Sequence, residues 1–477
     1  MSQNNLFENS NQYPSSEYDK PNGILDRFRN FALSTSEWTQ KWVPDAWIIA
    51  VILSIIVFLM TIAFGNASPV KAAQVWGKGL WVLLPLMAQF SFAILVAYVC
   101  ATAPATKRAL NWLGSRPNPD KPWQATLLVA VVSLLTGYIN WALTVVVSAT
   151  FVPFVAKHNP KSDMRLLVAA AYVGIATLWH AGLSGSATLL VATPDNFLLK
   201  DKILTDLIPV TRTIFSQFNI LLVLVTIVTT ALILTLLTPK KSRVKMEQSV
   251  LDSITKESDF QRPADLSPAD RMAWWPGWNI ILGVASLYFL INIFTSKGIA
   301  GWSIDTYNLL FLTLALFLTW RPIVFLEGCK RGVQGAWGIL VQFPLYGGIF
   351  GLISYTDLGH VLTTFFTSIS TPQTFLPIVY WYSGILGYFV PSGGSKWVIE
   401  APYLLKAAKE LGISPASTTL AYSWGDMMSH LIQPFWAIAL LDITRTKFGQ
   451  IAGFCTMLLL VYIIITSIGM FLMPLHL

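Results

Sequence analysis

The chain has 477 residues, of which 54% are hydrophobic and 12% are charged, and its formal net charge is +8. Soluble proteins carry about 25% charged residues, so this composition excludes an ordinary soluble domain. Apolar runs of about 20 residues recur along the chain, and each is long enough to cross a bilayer as a helix. The sequence therefore predicts an all-α polytopic membrane protein. Its positive charge is assigned to cytoplasmic loops, and no nucleic-acid partner is expected.

The predicted elements, in chain order, begin with a tail and continue as two membrane-embedded halves. The domains are a cytoplasmic N-terminal tail with an interfacial helix at 1–45, a first membrane repeat at 46–237, a cytoplasmic linker at 238–275, an extra connecting transmembrane helix at 276–302 and a second, inverted membrane repeat at 303–477. Nine crossings are expected, at 46–64, 76–98, 166–192, 213–237, 276–296, 303–320, 336–355, 416–441 and 448–473. Two re-entrant hairpins are expected, at 123–157 and 375–407. The tail shows no pattern of a cleaved signal peptide.

The positions of the basic residues set the predicted direction of insertion. With the N-terminus in the cytoplasm, most of the 32 Lys and Arg residues fall on the cytoplasmic side, as the positive-inside rule requires. The crossing at 76–98 then runs inward, and the crossing at 336–355 runs outward.

A weak internal repeat relates the two halves. LLPLMAQFSFAIL at 83–95 pairs with VQFPLYGGIFGLI at 341–353, and the later pairs are Gly137-Tyr138 with Gly387-Tyr388, Gly182 with Gly425, and Thr193-Pro194 with Gln433-Pro434. Related segments that run in opposite directions predict an inverted-topology repeat, which supplies alternating access around one site.

Each half contains two interruptions of helical patterning in apolar surroundings. The hairpin tips are expected near 139–141 and 391–395, and the two broken transmembrane helices near 181–186 and 429–434. An irregular backbone at membrane depth is tolerated only where it is buried in protein or lines a cavity. Half-helix N-termini suit an anion, and unwound carbonyl groups suit a small cation. For residues 184–186, close packing of two helices is an alternative explanation.

Polar residues near these interruptions form the predicted site. The substrate-binding residues are expected to be Ser392, Gly393, Gly394, Ser395, Lys396, Trp397, Ser429 and His430. The coupling cation is expected to bind at Asn140, Ser184, Gly185, Ser186 and Asp426. Lys396 lies one helical turn from Glu400, so it either binds the substrate carboxylate or forms a structural ion pair. Trp397, with Trp424 or Phe435, is expected to cover the apolar tail of the substrate.

The chain shows no pattern of an enzyme. Its five histidines lack the HExxH spacing of a zinc hydrolase, and its three cysteines have no paired spacing. No catalytic residue, cofactor or metal is expected, apart from Na⁺ or H⁺ as the coupling ion. A proton-driven mechanism points to Asp426 with His430, because histidine titrates near neutral pH.

Three motifs carry a resemblance to a known family. They are SGSATLLVATPDNF at 184–197, GYFVPSGGSKWVIEAP at 387–402 and AYSWGDMMSHLIQPFW at 421–436. With them the chain resembles the short-chain fatty-acid transporters of bacteria, within an ion-transporter superfamily that includes the divalent-anion/Na⁺ symporters. The resemblance covers nearly the whole chain from about Leu25 onward.

The resemblance implies a secondary active transporter for uptake of short-chain fatty acids, such as acetoacetate or butyrate, across the bacterial inner membrane. It also implies a scaffold and a transport domain in a homodimer, with the small carboxylate and membrane lipid as partners. The Na⁺ symporters carry Ser-Asn-Thr at their hairpin tips, where this chain has Ile139-Asn140-Trp141 and Ser392-Gly393-Gly394, so the coupling ion stays open. The alternatives are a cation-coupled transporter of another small organic anion, such as a di- or tricarboxylate, and a passive anion channel.

Overall fold

The computed structural model describes residues 42, 44, 46–239, 244–255, 262, 264–390 and 392–477. Within these residues the regular secondary structure is entirely helical. Of the predicted tail and interfacial helix, only Trp42 and Pro44 belong to the described residues. Parts of the predicted linker and Pro391 of the second hairpin tip also lie outside them.

The α-helices form two groups, called the first and the second half below, and a set of helices that connects them. The first group is α1 (Ala46–Phe64), α2 (Pro69–Gly79), α3 (Leu84–Thr102), α4 (Pro104–Gly114), α5 (Pro122–Ile139), α6 (Trp141–His158), α7 (Met164–Thr177), α8 (Ser186–Ala192), α9 (Phe197–Lys200) and α10 (Gln217–Leu236). The connecting helices are α11 (Gln248–Thr255), α12 (Pro268–Trp274) and α13 (Gly277–Lys297). The second group is α14 (Ile304–Thr319), α15 (Pro322–Gly332), α16 (Trp337–Ser354), α17 (Leu358–Ile369), α18 (Pro372–Phe389), α19 (Gly393–Glu410), α20 (Pro415–Met428), α21 (Ile438–Thr444) and α22 (Phe448–Leu472).

Nine helical segments in the described part of the chain are long and apolar enough to cross a membrane, which confirms the predicted all-α polytopic fold. The crossing predicted at 76–98 has the wrong bounds, because α2 ends at Gly79 and α3 begins at Leu84. Pro85 lies in the first turn of α3. Backbone N–H groups in the first turn make no hydrogen bond within the helix, so a proline is tolerated there. The apolar pattern alone merges these two helices.

The first two helices of each group pack against the third helix of the other group. Helices α1 and α2 lie on α16, and α14 and α15 lie on α3. The approach of α2 to α16 is close, since a Cβ atom added at Gly79 would lie 2.3 Å from the carbonyl oxygen of Gly347. The two groups are therefore interlocked through these helices.

Four helices of the first group have counterparts of equal length in the second. Helices α5, α6, α18 and α19 have 18 residues each, α7 and α20 have 14 each, and α8 and α21 have 7 each. They begin at residues 122, 141, 164 and 186 in the first group and at 372, 393, 415 and 438 in the second. Helices α5 and α6 form the first hairpin, and α18 and α19 form the second.

This register corrects two of the predicted pairs. Thr193 directly follows α8, whereas Gln433 precedes its counterpart α21, so these two residues do not align. Gly425 occupies the same place in α20 as Gly174 in α7, so the alignment of Gly182 with Gly425 is wrong too. Both misaligned glycines allow a close backbone approach to a hairpin. An added Cβ atom would lie 2.3 Å from the carbonyl oxygen of Tyr138 in one case and 2.2 Å from that of Tyr380 in the other. A glycine therefore makes a close backbone contact in each half, but the two glycines do not occupy corresponding positions of the repeat.

Helices α7 and α20 form the buried centre of the protein. Every residue of α7 except Arg165 is buried, as is every residue of α20 after Pro415. Fourteen residues span about 21 Å, which is less than the hydrocarbon thickness of about 30 Å. Both helices therefore end inside the protein, and the first break (residues 178–185) and the second break (residues 429–437) follow them.

Candidate functional site

Side chains from α10 and from the connection between α13 and α14 satisfy two backbone carbonyl groups in the first break. Asn219 Nδ2 donates to the carbonyl oxygen of Ala181 at 2.9 Å. Trp302 Nε1 donates to the carbonyl oxygen of Leu183 at 3.0 Å. These two contacts hold the irregular backbone in place.

The second break is held in the same way from α7. The hydroxyl group of Tyr172 donates to the carbonyl oxygens of His430 and Gln433, at 2.8 and 3.0 Å. Gln433 also donates through Nε2 to the carbonyl oxygen of Tyr388 at 2.9 Å. The break of one half is thus bound to the central helix of the other half.

A fully buried group of ionisable side chains lies between the second hairpin and α20. Lys396 Nζ is 3.0 Å from Asp426 Oδ1 and 3.7 Å from Glu400 Oε1. The ammonium also donates to the carbonyl oxygen of Ser383, whose hydroxyl group donates to Glu400 Oε2 at 2.6 Å. Of the two predicted roles of Lys396, the ion pair with Glu400 is present here, but Asp426 is the nearer partner.

His180 in the first break completes this group. Its Nδ1 atom lies 2.8 Å from Asp426 Oδ2, and its Nε2 atom is 3.1 Å from the backbone nitrogen of Ala187. A backbone N–H only donates, so Nε2 accepts, and the ring is neutral with its proton on Nδ1. His180 therefore donates to Asp426 across the contact between the two halves. We call Lys396, Glu400, Asp426 and His180 the ion cluster.

The ion cluster has fewer positive than negative charges. Lys396 contributes one positive charge, whereas Asp426 and Glu400 contribute two negative charges when both are ionised. Among the described residues, the ion pairs that reach these carboxylates involve only Lys396, His180 and His430. A buried charge without a partner costs several kcal/mol. The cluster is therefore suited to take up one more positive charge.

Aromatic rings line the region beside the ion cluster. The ring of Trp179 stacks on His180 with centroids 4.3 Å apart, and it lies parallel to the ring of His430 at 6.3 Å. Trp141 at the first hairpin tip packs against Trp436 at 5.6 Å and against Trp179 at 6.1 Å. Residues of the first hairpin and of both breaks thus share one aromatic wall.

Four of the predicted substrate-binding residues lie at the second tip and are packed against the first half. We call them the cradle: Ser392, Gly393, Gly394 and Ser395. Helix α19 begins at Gly393, after Ser392. A Cβ atom added at Gly393 would lie 2.5 Å from His180 Cε1 and 2.6 Å from Asp426 Oδ2, and one added at Gly394 would lie 3.4 Å from Ser186 Oγ. The structure thus places an imidazole and a carboxylate against this turn. Substrate binding by the cradle stays a prediction.

The three serines predicted to bind the substrate make local hydrogen bonds. The hydroxyl group of Ser392 donates to Ser395 Oγ at 2.9 Å, so these two residues close the first turn of α19. The hydroxyl group of Ser429 donates to the backbone carbonyl oxygen of Asp426 at 3.4 Å. Both contacts are local, and neither tests a role in binding.

The oxygens predicted for the coupling cation already accept hydrogen bonds at the first tip. Asn140 Oδ1 caps α6 by accepting from the backbone N–H of Leu143 at 2.9 Å. Ser184 Oγ accepts from the backbone N–H of Trp141, also at 2.9 Å. Gly185 precedes the first residue of α8. The structure brings Asn140 and Ser184 together, and cation binding there stays a prediction.

The aromatic residues predicted to cover the substrate do not meet. Trp397 packs on Tyr422, with centroids 4.6 Å apart. Trp424 instead donates through Nε1 to Asn219 Oδ1 at 2.9 Å, and Phe435 is 39% exposed. The indole of Trp424 therefore anchors α20 to α10, which makes it a structural residue in this arrangement.

Sequence reasoning left three important residues outside the predicted site. They are His180, Ser383 and Tyr422, whose hydroxyl group donates to the carbonyl oxygen of Gly393. An ionisable residue at membrane depth is a signal of function, and this signal identifies His180, directly before the break predicted near 181–186. No local signal marks Ser383 or Tyr422, because their partners lie on other helices.

Comparisons with known proteins agree over almost the whole chain. The profile of the family described as "Short chain fatty acid transporter" matches residues 27–473. The chain is 32% identical over 437 residues to the "Putative short-chain fatty acid transporter" of Escherichia coli (strain K12), covering 91% of this chain and 97% of that protein. It is 30% identical over 438 residues to the protein of the same name from Haemophilus influenzae, with the same coverage.

A solved structure shares the fold. The crystal structure of the YdaH transporter of Alcanivorax borkumensis has a TM-score of 0.53 and 16% sequence identity, covering 89% of this chain and 98% of that chain. At this identity the likeness concerns the fold alone. Together with the match over residues 27–473, it shows that the chain is a multi-pass membrane protein and a transporter, not an enzyme, and that it belongs to the short-chain fatty acid transporter family.

Proposed function

We propose that the protein is a secondary active transporter that takes up short-chain fatty acids, monocarboxylates such as acetoacetate or butyrate, across the bacterial inner membrane. The observation that carries the proposal is the ion cluster, in which one lysine faces two carboxylates. Ionisable groups at membrane depth are costly and occur mainly on substrate and ion pathways. Family membership supports this substrate class.

We assign the coupling ion to H⁺. Apart from the Lys396 ammonium at 3.7 Å, Glu400 Oε1 has no hydrogen-bonding partner among the described residues. A proton needs only this one oxygen, and it supplies the positive charge that the cluster lacks. Na⁺ needs several oxygen ligands at once, whereas the side-chain oxygens of Asn140 and Ser184 each use one of their two lone pairs to accept a hydrogen bond.

The transport cycle is proposed to be alternating access between two inverted repeats. In this scheme both hairpins are re-entrant and the N-terminus is cytoplasmic. Helix α13 is the extra crossing, which lets the second half begin on the opposite side of the membrane from the first. The matched helix lengths support a repeat. The His180–Asp426 contact is then the point that opens when one half moves relative to the other, because each residue belongs to a different half.

Uptake of labelled butyrate into proteoliposomes, under imposed H⁺ or Na⁺ gradients, tests the proposal. We expect saturable accumulation driven by H⁺. Glu400→Gln should lose this accumulation but keep butyrate exchange, because the amide fills the same space without titrating. Glu327→Gln, at a surface ion pair with Arg331, is the matched control.

The other outcomes of this experiment separate the alternatives. Accumulation driven only by Na⁺ would overturn the assignment of H⁺. Flux that never exceeds equilibrium would indicate a passive channel. Preference for a di- or tricarboxylate would overturn the substrate class.

We also propose that the protein is a homodimer in the membrane. Among the nine candidate spans, α1 and the span that contains α13 are the least buried, with 22% and 17% of their apolar windows inside the protein. These helices offer the apolar surface that a second copy or lipid would cover. Counting subunits of labelled protein in lipid nanodiscs tests this proposal, and a single subunit per disc at all loading ratios would contradict it.

A further inference from the structure

Three buried nitrogen donors beside the breaks have no hydrogen-bond acceptor among the described residues. They are Asn140 Nδ2, His430 Nε2 and Trp436 Nε1. The side chains of Asn140 and His430 are fully buried. Buried polar groups in native proteins are nearly always hydrogen-bonded, so a group of donors without acceptors indicates a binding site.

The free end of Asn140 is a donor and not an acceptor. Its oxygen accepts from the backbone N–H of Leu143 at the start of α6, and this contact fixes which end of the amide carries the nitrogen. The NH₂ group is then unpaired. An NH₂ group cannot coordinate a cation, but it can donate to an anion.

The free nitrogen of His430 is also a donor. Trp179 Nε1 lies 3.4 Å from His430 Nδ1. An indole N–H only donates, so Nδ1 accepts and the neutral ring carries its proton on Nε2. Nε2 lies 3.9 Å from Asp426 Oδ2, which is beyond hydrogen-bond distance.

The three donors lie around the aromatic wall. Asn140 directly precedes Trp141, whose ring packs against Trp436 at 5.6 Å. The ring of Trp436 lies 6.1 Å from that of His430, and Trp179 contacts both. Neutral donors and apolar ring surfaces together suit a carboxylate with a short apolar tail.

We propose that Asn140, His430 and Trp436 bind the carboxylate of the substrate, and that Trp141 and Trp179 enclose its tail. This inference rests on the proposed function and places the substrate at the first tip and the second break. The donors are neutral, so they leave the charge of the anion uncancelled beside Asp426. Its repulsion favours uptake of a proton by the ion cluster, and substrate and proton therefore bind together.

Two variants remove one donor each. Trp436→Phe removes the indole N–H and keeps a smaller aromatic ring, and Asn140→Asp keeps the oxygen that caps α6 but replaces the NH₂ group with a carboxylate oxygen. Losing one hydrogen bond to a charged group should raise the KM for butyrate about tenfold. Trp381→Phe, at a position that is 40% exposed on α18, is the matched control and should keep the KM of the wild type.

The measurement is the KM and kcat for butyrate exchange, with binding of labelled butyrate in detergent as a second readout. Unchanged KM and binding in Trp436→Phe and Asn140→Asp, with active wild type, would overturn the inference and leave the proposed function standing. Failure of the wild type to bind or transport butyrate would overturn the proposed function instead. If Asn140→Asp does not fold, as judged by gel filtration, Trp436→Phe decides alone.

Discussion

His180 Nδ1 in the first half lies 2.8 Å from Asp426 Oδ2 in the second half. The other carboxylate oxygen of Asp426 is 3.0 Å from Lys396 Nζ in α19. One carboxylate therefore joins the first break, the second hairpin and the end of α20. Of these two distances, the one between His180 and Asp426 joins the two halves, so a movement of one half relative to the other must change it.

Replacing His180 by phenylalanine should impair both stability and transport. The ring keeps its stacking surface for Trp179, but the donor to Asp426 and the acceptor for the Ala187 N–H are lost. Leaving these buried groups unpaired should cost on the order of 2 kcal/mol. A lower Tm in detergent and reduced butyrate uptake would show the loss. His360→Phe, at an exposed position of α17, is the control, and equal behaviour of the two variants would contradict the proposed role.

The partner preference of Lys396 can be measured with double variants. Lys396→Met should lower the Tm strongly, because it leaves two buried carboxylates without their ammonium. Adding Asp426→Asn should restore more stability than adding Glu400→Gln, since Lys396 Nζ is 3.0 Å from Asp426 and 3.7 Å from Glu400. We expect the two double variants to differ by about 1 kcal/mol. Greater rescue by Glu400→Gln would show that Glu400 is the main partner.

Much of the fold could be predicted from the sequence because the length of an apolar run is a local property. Helices α13, α14, α16 and α22 lie within a few residues of the predicted bounds. Helices α2 and α15 were not predicted, because helices of 11 residues are too short for a crossing. The interlocked packing of the two groups also depends on tertiary contacts that no local pattern records.

The candidate site, too, could be predicted only where its contacts are local in the sequence. Proximity of Lys396 and Glu400 could be predicted from a spacing of one turn. The contact between His180 and Asp426 joins residues 246 positions apart, and hydropathy carries no signal for such a pair. The sequence predicts a break in the helical pattern at Asn140, and the structure has this residue between α5 and α6. Only the structure shows that its oxygen caps α6.

The close contact of α5 with α7 predicts a large effect of one methyl group. A Cβ atom at Gly174 would lie 1.9 Å from the carbonyl oxygen of Ser133, so Gly174→Ala must push these helices apart and should cost at least about 2 kcal/mol. Gly338→Ala in α16 has no atom within 4 Å of the added carbon and should be neutral or stabilising, because alanine favours helix. Thermal unfolding of both variants in detergent checks this, and equal Tm values would contradict the close contact.

The inverted repeat predicts that corresponding loops face opposite sides of the membrane. Ser115, after α4, and Ser368, near the end of α17, are both exposed. With a cytoplasmic N-terminus, Ser115 lies inside and Ser368 lies outside. Single cysteines at these positions, in a variant without the native Cys100, Cys329 and Cys455, can be labelled in intact cells with an impermeant maleimide. We expect labelling of Ser368→Cys in intact cells and of Ser115→Cys only after the membrane is opened. Labelling of both from the outside would place the loops on one face and remove the inversion on which alternating access depends.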